Sequence, residues 1–142
     1  MQEVKIRIRG LQGQQEQDRE LIEVISIGQM QKRGDALLIR YDEVVDEDDQ
    51  GIVQTAKNEL TIREDQVEII KEGPNATHMV FMPGQTTYTY YATPMGELEV
   101  GIHSTCVEKT DNASGFLLHL QYELEMNQTF ISFCDVNVAI EY

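Results

Sequence analysis

The stretch GFLLHLQYELEM, residues 115–126, alternates with a period of two. Phe116, Leu118, Leu120, Tyr122, Leu124 and Met126 fall on one side, and Leu117, His119, Gln121, Glu123 and Glu125 on the other. Successive side chains of a strand point to opposite faces, so the pattern predicts a strand with one face buried and the other largely wet. A half-wet strand belongs in an antiparallel sheet, because parallel sheets are covered on both faces.

Working outward, the same period recurs along the chain. In the opening MQEVKIRIRG, Val4, Ile6 and Ile8 face inward while Glu3, Lys5, Arg7 and Arg9 face water. Further runs fall at roughly 20–30, 36–45, 51–63, 66–71, 77–82, 86–92, 97–109 and 129–141, divided by turn signals such as Arg33-Gly34-Asp35, Gly73-Pro74-Asn75 and Pro83-Gly84. That makes about ten strands and no helix. Within the second run the inward set is expected to shift from Ile22 and Val24 to Ile25 and Ile27, which requires a β-bulge or sharp bend. The polar segment Leu11 to Glu20 has no apolar stripe and is read as a linker long enough to act as a lid. Open sheets this wide curl or split, leaving a two-layer sandwich or an antiparallel up-and-down meander closed, or nearly closed, into a barrel of about 8–10 strands. Short hairpin connections favour the meander.

A chain of 142 residues, 41% hydrophobic and 25% charged, has ordinary globular composition, and residues 1–142 are read as a single domain with one core. With 25 acidic and 11 basic residues its formal charge of −14 repels phosphate backbones and anionic headgroups, so neither nucleic acid nor a membrane surface is expected as a partner. No apolar stretch approaches the ~20 residues of a spanning helix, and the N-terminus has no export-type apolar region, which points to a cytoplasmic protein. The sequons at Asn75, Asn112 and Asn127 are then turn chemistry.

Candidate reactive groups are sparse. Cys106 and Cys134 are too far apart for a CxxC motif and are expected as free thiols, while His78, His103 and His119 sit in separate strands with no spacing that pairs them with a cysteine. In the acidic run DEVVDEDDQG, residues 42–51, Asp46, Asp48, Gln50 and Gly51 imitate the opening of an EF-hand loop. The required bidentate Glu is replaced by Lys57, so the run is read as solvated charge with no metal site.

In YATPMGELEV, residues 91–100, Pro94 removes a donor and Gly96 permits positive φ, which predicts a hairpin corner between a Thr/Tyr-rich strand and the strand of Leu98, Val100 and Ile102. This Tyr-x-Thr-Pro-x-Gly stretch, the later Thr105 and the strand LHLQYELEMNQ resemble the DUF1934 family of small bacterial proteins. So do Tyr41-Asp42-Glu43, Glu72-Gly73 and the Met79/Phe81 alternation. The resemblance implies a calycin-like, lipocalin-like β-barrel with no established activity and therefore no catalytic residue to carry over. The chain lacks any Trp, hence the Gly-x-Trp lipocalin signature, and lacks the helical lid of fatty-acid-binding proteins.

Three functions remain in view. The first is a non-enzymatic binding module, without cofactor, whose barrel encloses a small, mostly apolar ligand. Val100, Ile102, Leu118, Leu120 and Tyr122 would line it, and Tyr88, Tyr90, Tyr91, Thr93 and Tyr122 would supply orienting hydroxyls. The second is a structural or interaction module with a filled core, self-associating as a homodimer through an edge strand or apolar patch. The third is a hydrolase-like enzyme using His103 with Glu97 or Glu99, which alternation places on one face.

Overall fold

The computed structural model describes residues 1–13, 20–47, 49–72, 76–94 and 96–142, the side chains of 44–47, 53–54 and 91–93 excepted. The linker proposed as a lid lies mostly outside these residues. Ten strands form one antiparallel sheet: β1 (Gln2–Gly13), β2 (Glu20–Arg33), β3 (Ala36–Glu47), β4 (Val53–Ile62), β5 (Val67–Glu72), β6 (Thr77–Phe81), β7 (Thr86–Thr93), β8 (Gly96–Asn112), β9 (Gly115–Met126) and β10 (Thr129–Glu141). No helix occurs among the described residues, so none is long and apolar enough to cross a membrane.

Each hairpin is built by local chemistry. Asn127 and Gln128 both take positive φ, 48° and 67°, giving the two-residue turn whose twist suits the flanking strands. At the β8–β9 corner the Asn112 Oδ1 accepts a hydrogen bond from the Ser114 N–H at 2.9 Å. Gly34, Gly84 and Gly96 turn with φ of 59°, 72° and 121°, as their turn positions require. Asn112 and Asn127 thus serve as turn residues; Asn75 lies outside the described residues.

The strand order β6-β5-β4-β3-β2-β1-β10-β9-β8-β7 is a meander in which the first and last strands pair, so only the β6–β7 junction lacks a ladder. Closure there is carried by the turn between them: Gly84 N–H donates to Ser104 O at 2.9 Å, and Ser104 N–H to Gln85 O at 3.1 Å. The Thr87 hydroxyl adds a bond to the Val80 carbonyl. The result is a nearly closed barrel. Bulges interrupt the registers at Val44/Asp46, Ser104/Cys106 and Phe130/Ser132, bending the long strands that closure demands.

The core is the inward set Val4, Ile6, Ile39, Leu60, Val67, Phe81, Phe116, Leu118, Val138, Ile140 and their neighbours. The expected bulge in β2 does not form. Its register against β1 runs unbroken from Gln2↔Met30 to Gln12↔Glu20, placing Val24, Ser26, Gly28 and Met30 opposite inward residues. Ile25 and Ile27 therefore face outward, 52% and 58% exposed. The reason is steric: a side chain on Gly28 would meet Ile6 Cδ1 at 2.7 Å and Arg40 O at 2.9 Å, so the crowded interior takes glycine and serine where hydrophobicity alone points to isoleucine. The acidic run forms the end of β3 and a turn at Asp49-Gln50, followed by β4, so strands flank it where an EF-hand needs helices.

Candidate functional site

The barrel interior is fully buried at its middle and only partly covered toward its ends. Val100, Ile102, Leu118 and Leu120 come together as expected, all nearly inaccessible within the core. Toward the end where β1 stops and β2 starts, Ile8, Ile69, Met79, Leu98, Leu124, Met126 and Val136 pack against the core only partly covered, as Met30, Leu37 and Val107 do toward the other. Ile22, inward by its pairing with Gly10, is 47% exposed. Tyr122 marks the boundary. Its ring packs 4.8 Å from that of Phe81, and its phenol, hydrogen-bonded to Cys134, is pushed far up by burial and then by the neighbouring thiol.

Two polar groups line this half-open end. On β10, Cys134 lies opposite Tyr122, and Ser132 links it at 3.6 Å to Gln12 of β1, whose amide donates to the Ser132 hydroxyl at 3.4 Å. Burial raises the Cys134 thiol, while hydrogen bonds from Ser132 and Tyr122 pull it back. Across the barrel, Asn58 donates to Glu43 Oε2 at 3.3 Å and Lys71 Nζ lies 3.4 Å from the same oxygen. Burial first, and Glu43 second, push the Tyr41 phenol up to about 12. The hydroxyls of Thr89 and Ser104, inward by their pairing with Val100 and Tyr122, are buried without a hydrogen-bond partner among the described residues.

The tyrosines of β7 divide by register. Tyr88 and Tyr90 pair with Gly101 and Glu99 on the outer face and are 51% and 59% exposed, which corrects the expectation that they reach the interior. The inward place opposite Val100 goes to Thr89. Tyr91 and Thr93 pair with Leu98 and Gly96; their side chains lie outside the described residues. His103 lies on the outer face with Glu97 and Glu99, and Thr86 Oγ1 sits 2.9 Å from its Nδ1.

Sequence spacing missed a second constellation, on the outer face of β8, β9 and β10. Glu108 opposes His119 and Cys106 opposes Gln121, so the cysteine and histidine expected to be unrelated are diagonal neighbours, with Cys106 Sγ 3.8 Å from His119 Nδ1. His119 Nε2 is 2.8 Å from Asp135 Oδ1, and Gln121 donates to Asp135 Oδ2 at 3.1 Å. Potential ligand atoms of Cys106, Glu108 and His119 all lie within 4.8 Å of one another. Burial, then Glu108 and Asp135, raise the Cys106 thiol, the reverse of what an activated nucleophile needs. Both thiols are free.

The outer face also carries two sizeable grooves. One of about 760 Å³ runs over β2–β5, past Ile27, Arg40, Asp42, Lys57 and Ile70. Another of about 490 Å³ is lined by Arg7, Arg9, Leu11, Leu21, Leu117 and Ala139.

A family model described as a domain of unknown function, DUF1934, matches residues 6–138. The crystal structure of the YwiB protein from Bacillus subtilis superposes with a TM-score of 0.76 at 17% identity, over 98% of this chain and 90% of that one. No curated protein matches the sequence. The chain belongs to the DUF1934 family, and at that identity the structural likeness speaks to the fold alone.

Proposed function

We propose that this member of the DUF1934 family binds a small, mostly apolar molecule bearing a hydrogen-bonding group, and that it acts as a binder without catalysis. The observation that carries the reading is the layering of the interior: a floor of fully buried apolar side chains, and above it, toward the end where β1 stops, a group of inward apolar residues that are only partly covered. A barrel of this size lies between filled and hollow, and a cup with a closed floor is the form that holds one ligand. Buried hydroxyls without partners at Thr89 and Ser104 supply places for the polar group, since such atoms otherwise cost about 1–3 kcal/mol each.

Native mass spectrometry of protein purified from its own host tests this, followed by titration with the neutral probe Nile red. A retained small molecule, or saturable one-to-one probe binding that Leu124→Asn weakens and Leu118→Val does not, supports the reading. Protein that retains nothing and shows no saturable probe binding refutes it.

A second reading rests on a different observation. Leu21, Ile25 and Ile27 stand 58%, 52% and 58% exposed on the outer face of β2, beside Lys5, Arg7 and Arg9 of β1. In a chain of formal charge −14, this basic and apolar stripe is where a second copy of the same acidic chain meets least repulsion. Sedimentation of the wild type and of Ile27→Asp tests it: a homodimer lost in the variant supports the reading, and a monomeric wild type at all concentrations ends it.

A further inference from the structure

We propose that Cys106, Glu108 and His119 form a site for a divalent transition metal of the zinc type on the outer wall of the barrel. The donors are one thiolate, one imidazole nitrogen and one carboxylate, which together suit zinc better than calcium or magnesium. Zinc–sulfur and zinc–nitrogen bonds of about 2.3 and 2.05 Å meeting at a tetrahedral angle put the two donors about 3.6 Å apart. The observed Cys106 Sγ to His119 Nδ1 separation is 3.8 Å, so the pair already spans one edge of the coordination tetrahedron. With three protein ligands, the fourth position is left to water.

Asp135 supplies the independent argument. Metal-bound histidines donate the remaining ring N–H to a carboxylate, which sets the tautomer and the ring orientation. His119 Nε2 lies 2.8 Å from Asp135 Oδ1, so Nε2 carries the proton and Nδ1 presents its lone pair toward Cys106. Asp135 is itself held by Gln121 at 3.1 Å. The β8–β9 ladder, through Glu108↔His119 and Cys106↔Gln121, brings all three ligands onto one patch without loop ordering. On binding, the Cys106 S–H bond breaks, its proton leaves to solvent and the sulfur lone pair is donated to the metal.

Cobalt titration of the reduced, metal-free full chain tests the site. The expected result is one equivalent bound with a thiolate-to-cobalt charge-transfer band, competed away by zinc. The band is lost in Cys106→Ser and retained in Cys134→Ser, whose thiol faces the interior. Asp135→Asn, a positioning change, weakens binding about 10–100-fold while keeping the band. Should Cys106→Ser fail to fold, zinc protection of Cys106 in the wild type against iodoacetamide, read by peptide mass spectrometry, reports the same contact. Absence of the band and of zinc retention in the wild type overturns the proposal. So does a band that persists in folded Cys106→Ser, or rapid alkylation of Cys106 that saturating zinc does not slow.

Discussion

Replacing Gly28 with alanine destabilises the barrel by about 2 kcal/mol, and part of that loss disappears when Ile6 is shortened to valine. The new Cβ would stand 2.7 Å from Ile6 Cδ1 and 2.9 Å from the Arg40 carbonyl oxygen. Ile6 is wholly buried, so its tip has no open space to enter. Overpacking of this kind costs about 1–3 kcal/mol, offset by about 0.4–1 kcal/mol from alanine's smaller unfolded-state freedom. Ile6→Val alone costs about 1 kcal/mol. The double variant removes the first clash and keeps the second, against backbone. It should therefore lose about 2 kcal/mol where simple addition gives about 3, a coupling outside the ~0.3–0.5 kcal/mol within which independent sites add. Urea unfolding followed by circular dichroism, with unchanged m values, measures all three. Ile25→Thr and Ile27→Thr, on the outer face, serve as controls and change stability by less than about 0.5 kcal/mol. A neutral Gly28→Ala, strict additivity with Ile6→Val, or a multi-kcal loss at Ile25 would refute the inward assignment of Gly28 and with it the register of β2.

Gly96→Val costs about 2–3 kcal/mol although a side chain there would meet open space, because φ of 121° strains a β-branched residue; a melting temperature unchanged from wild type would show that the corner relaxes freely. Burial, and then Glu43, push the Tyr41 phenol up to about 12 in the folded protein, above the ordinary tyrosine value of about 10. The unfolded chain therefore releases that proton first, and the stability it contributes is intact below about pH 10 and lost as pH rises toward 12, by about 3 kcal/mol at the limit. Tyr41→Phe should flatten that stretch of the stability curve, and an identical slope would count against the assignment. In denaturant both thiols react as free groups, whereas in the metal-free native protein Cys106 reacts well before buried Cys134; a disulfide in fresh protein would overturn the first statement.

Much of the fold was legible because one signal, period-two alternation, reports a single physical fact: which side of a strand is wet. It located strands close to all ten observed, and Gly, Pro and Asn at the corners marked the turns. It failed where the interior is too crowded for a large residue. At Gly28 and Ser26 small inward residues alternate with exposed isoleucines, so the hydrophobic face of β2 reads as the core when it is the outside. Tyr88 and Tyr90 were placed inward by residue type, but their register against Gly101 and Glu99 turns them out. The Cys106, Glu108 and His119 group was invisible to spacing along the chain and readable from hairpin geometry. Opposed residues of a two-residue hairpin have position numbers of constant sum, so the corner at Asn112↔Gly115 already sets Glu108 across from His119.

The wall between the two proposed sites is one strand thick. Cys134 and Asp135 are consecutive in β10, and alternation sends them to opposite faces: Cys134 opposes Tyr122 inside, and Asp135 opposes Gln121 outside, within reach of His119. Each face then suits a different chemistry. The inner one is apolar with few hydrogen-bonding groups, so it favours a ligand that leaves water. The outer one is half-wet and acidic, so it tolerates an ion that carries a water molecule and sheds a proton on binding. The same backbone ladder holds both sets of side chains, and the bulge at Ser104/Cys106 marks where the two uses part. On one side of it Ser104 faces inward beside Tyr122; on the other Cys106 faces outward beside His119. The outer cluster lies wholly on the hairpin side of that bulge, where the register set at Asn112↔Gly115 turns Cys106 outward toward His119; strict alternation from there would turn Ser104 outward as well, so the extra residue is what returns Ser104 to the inward face beside Tyr122.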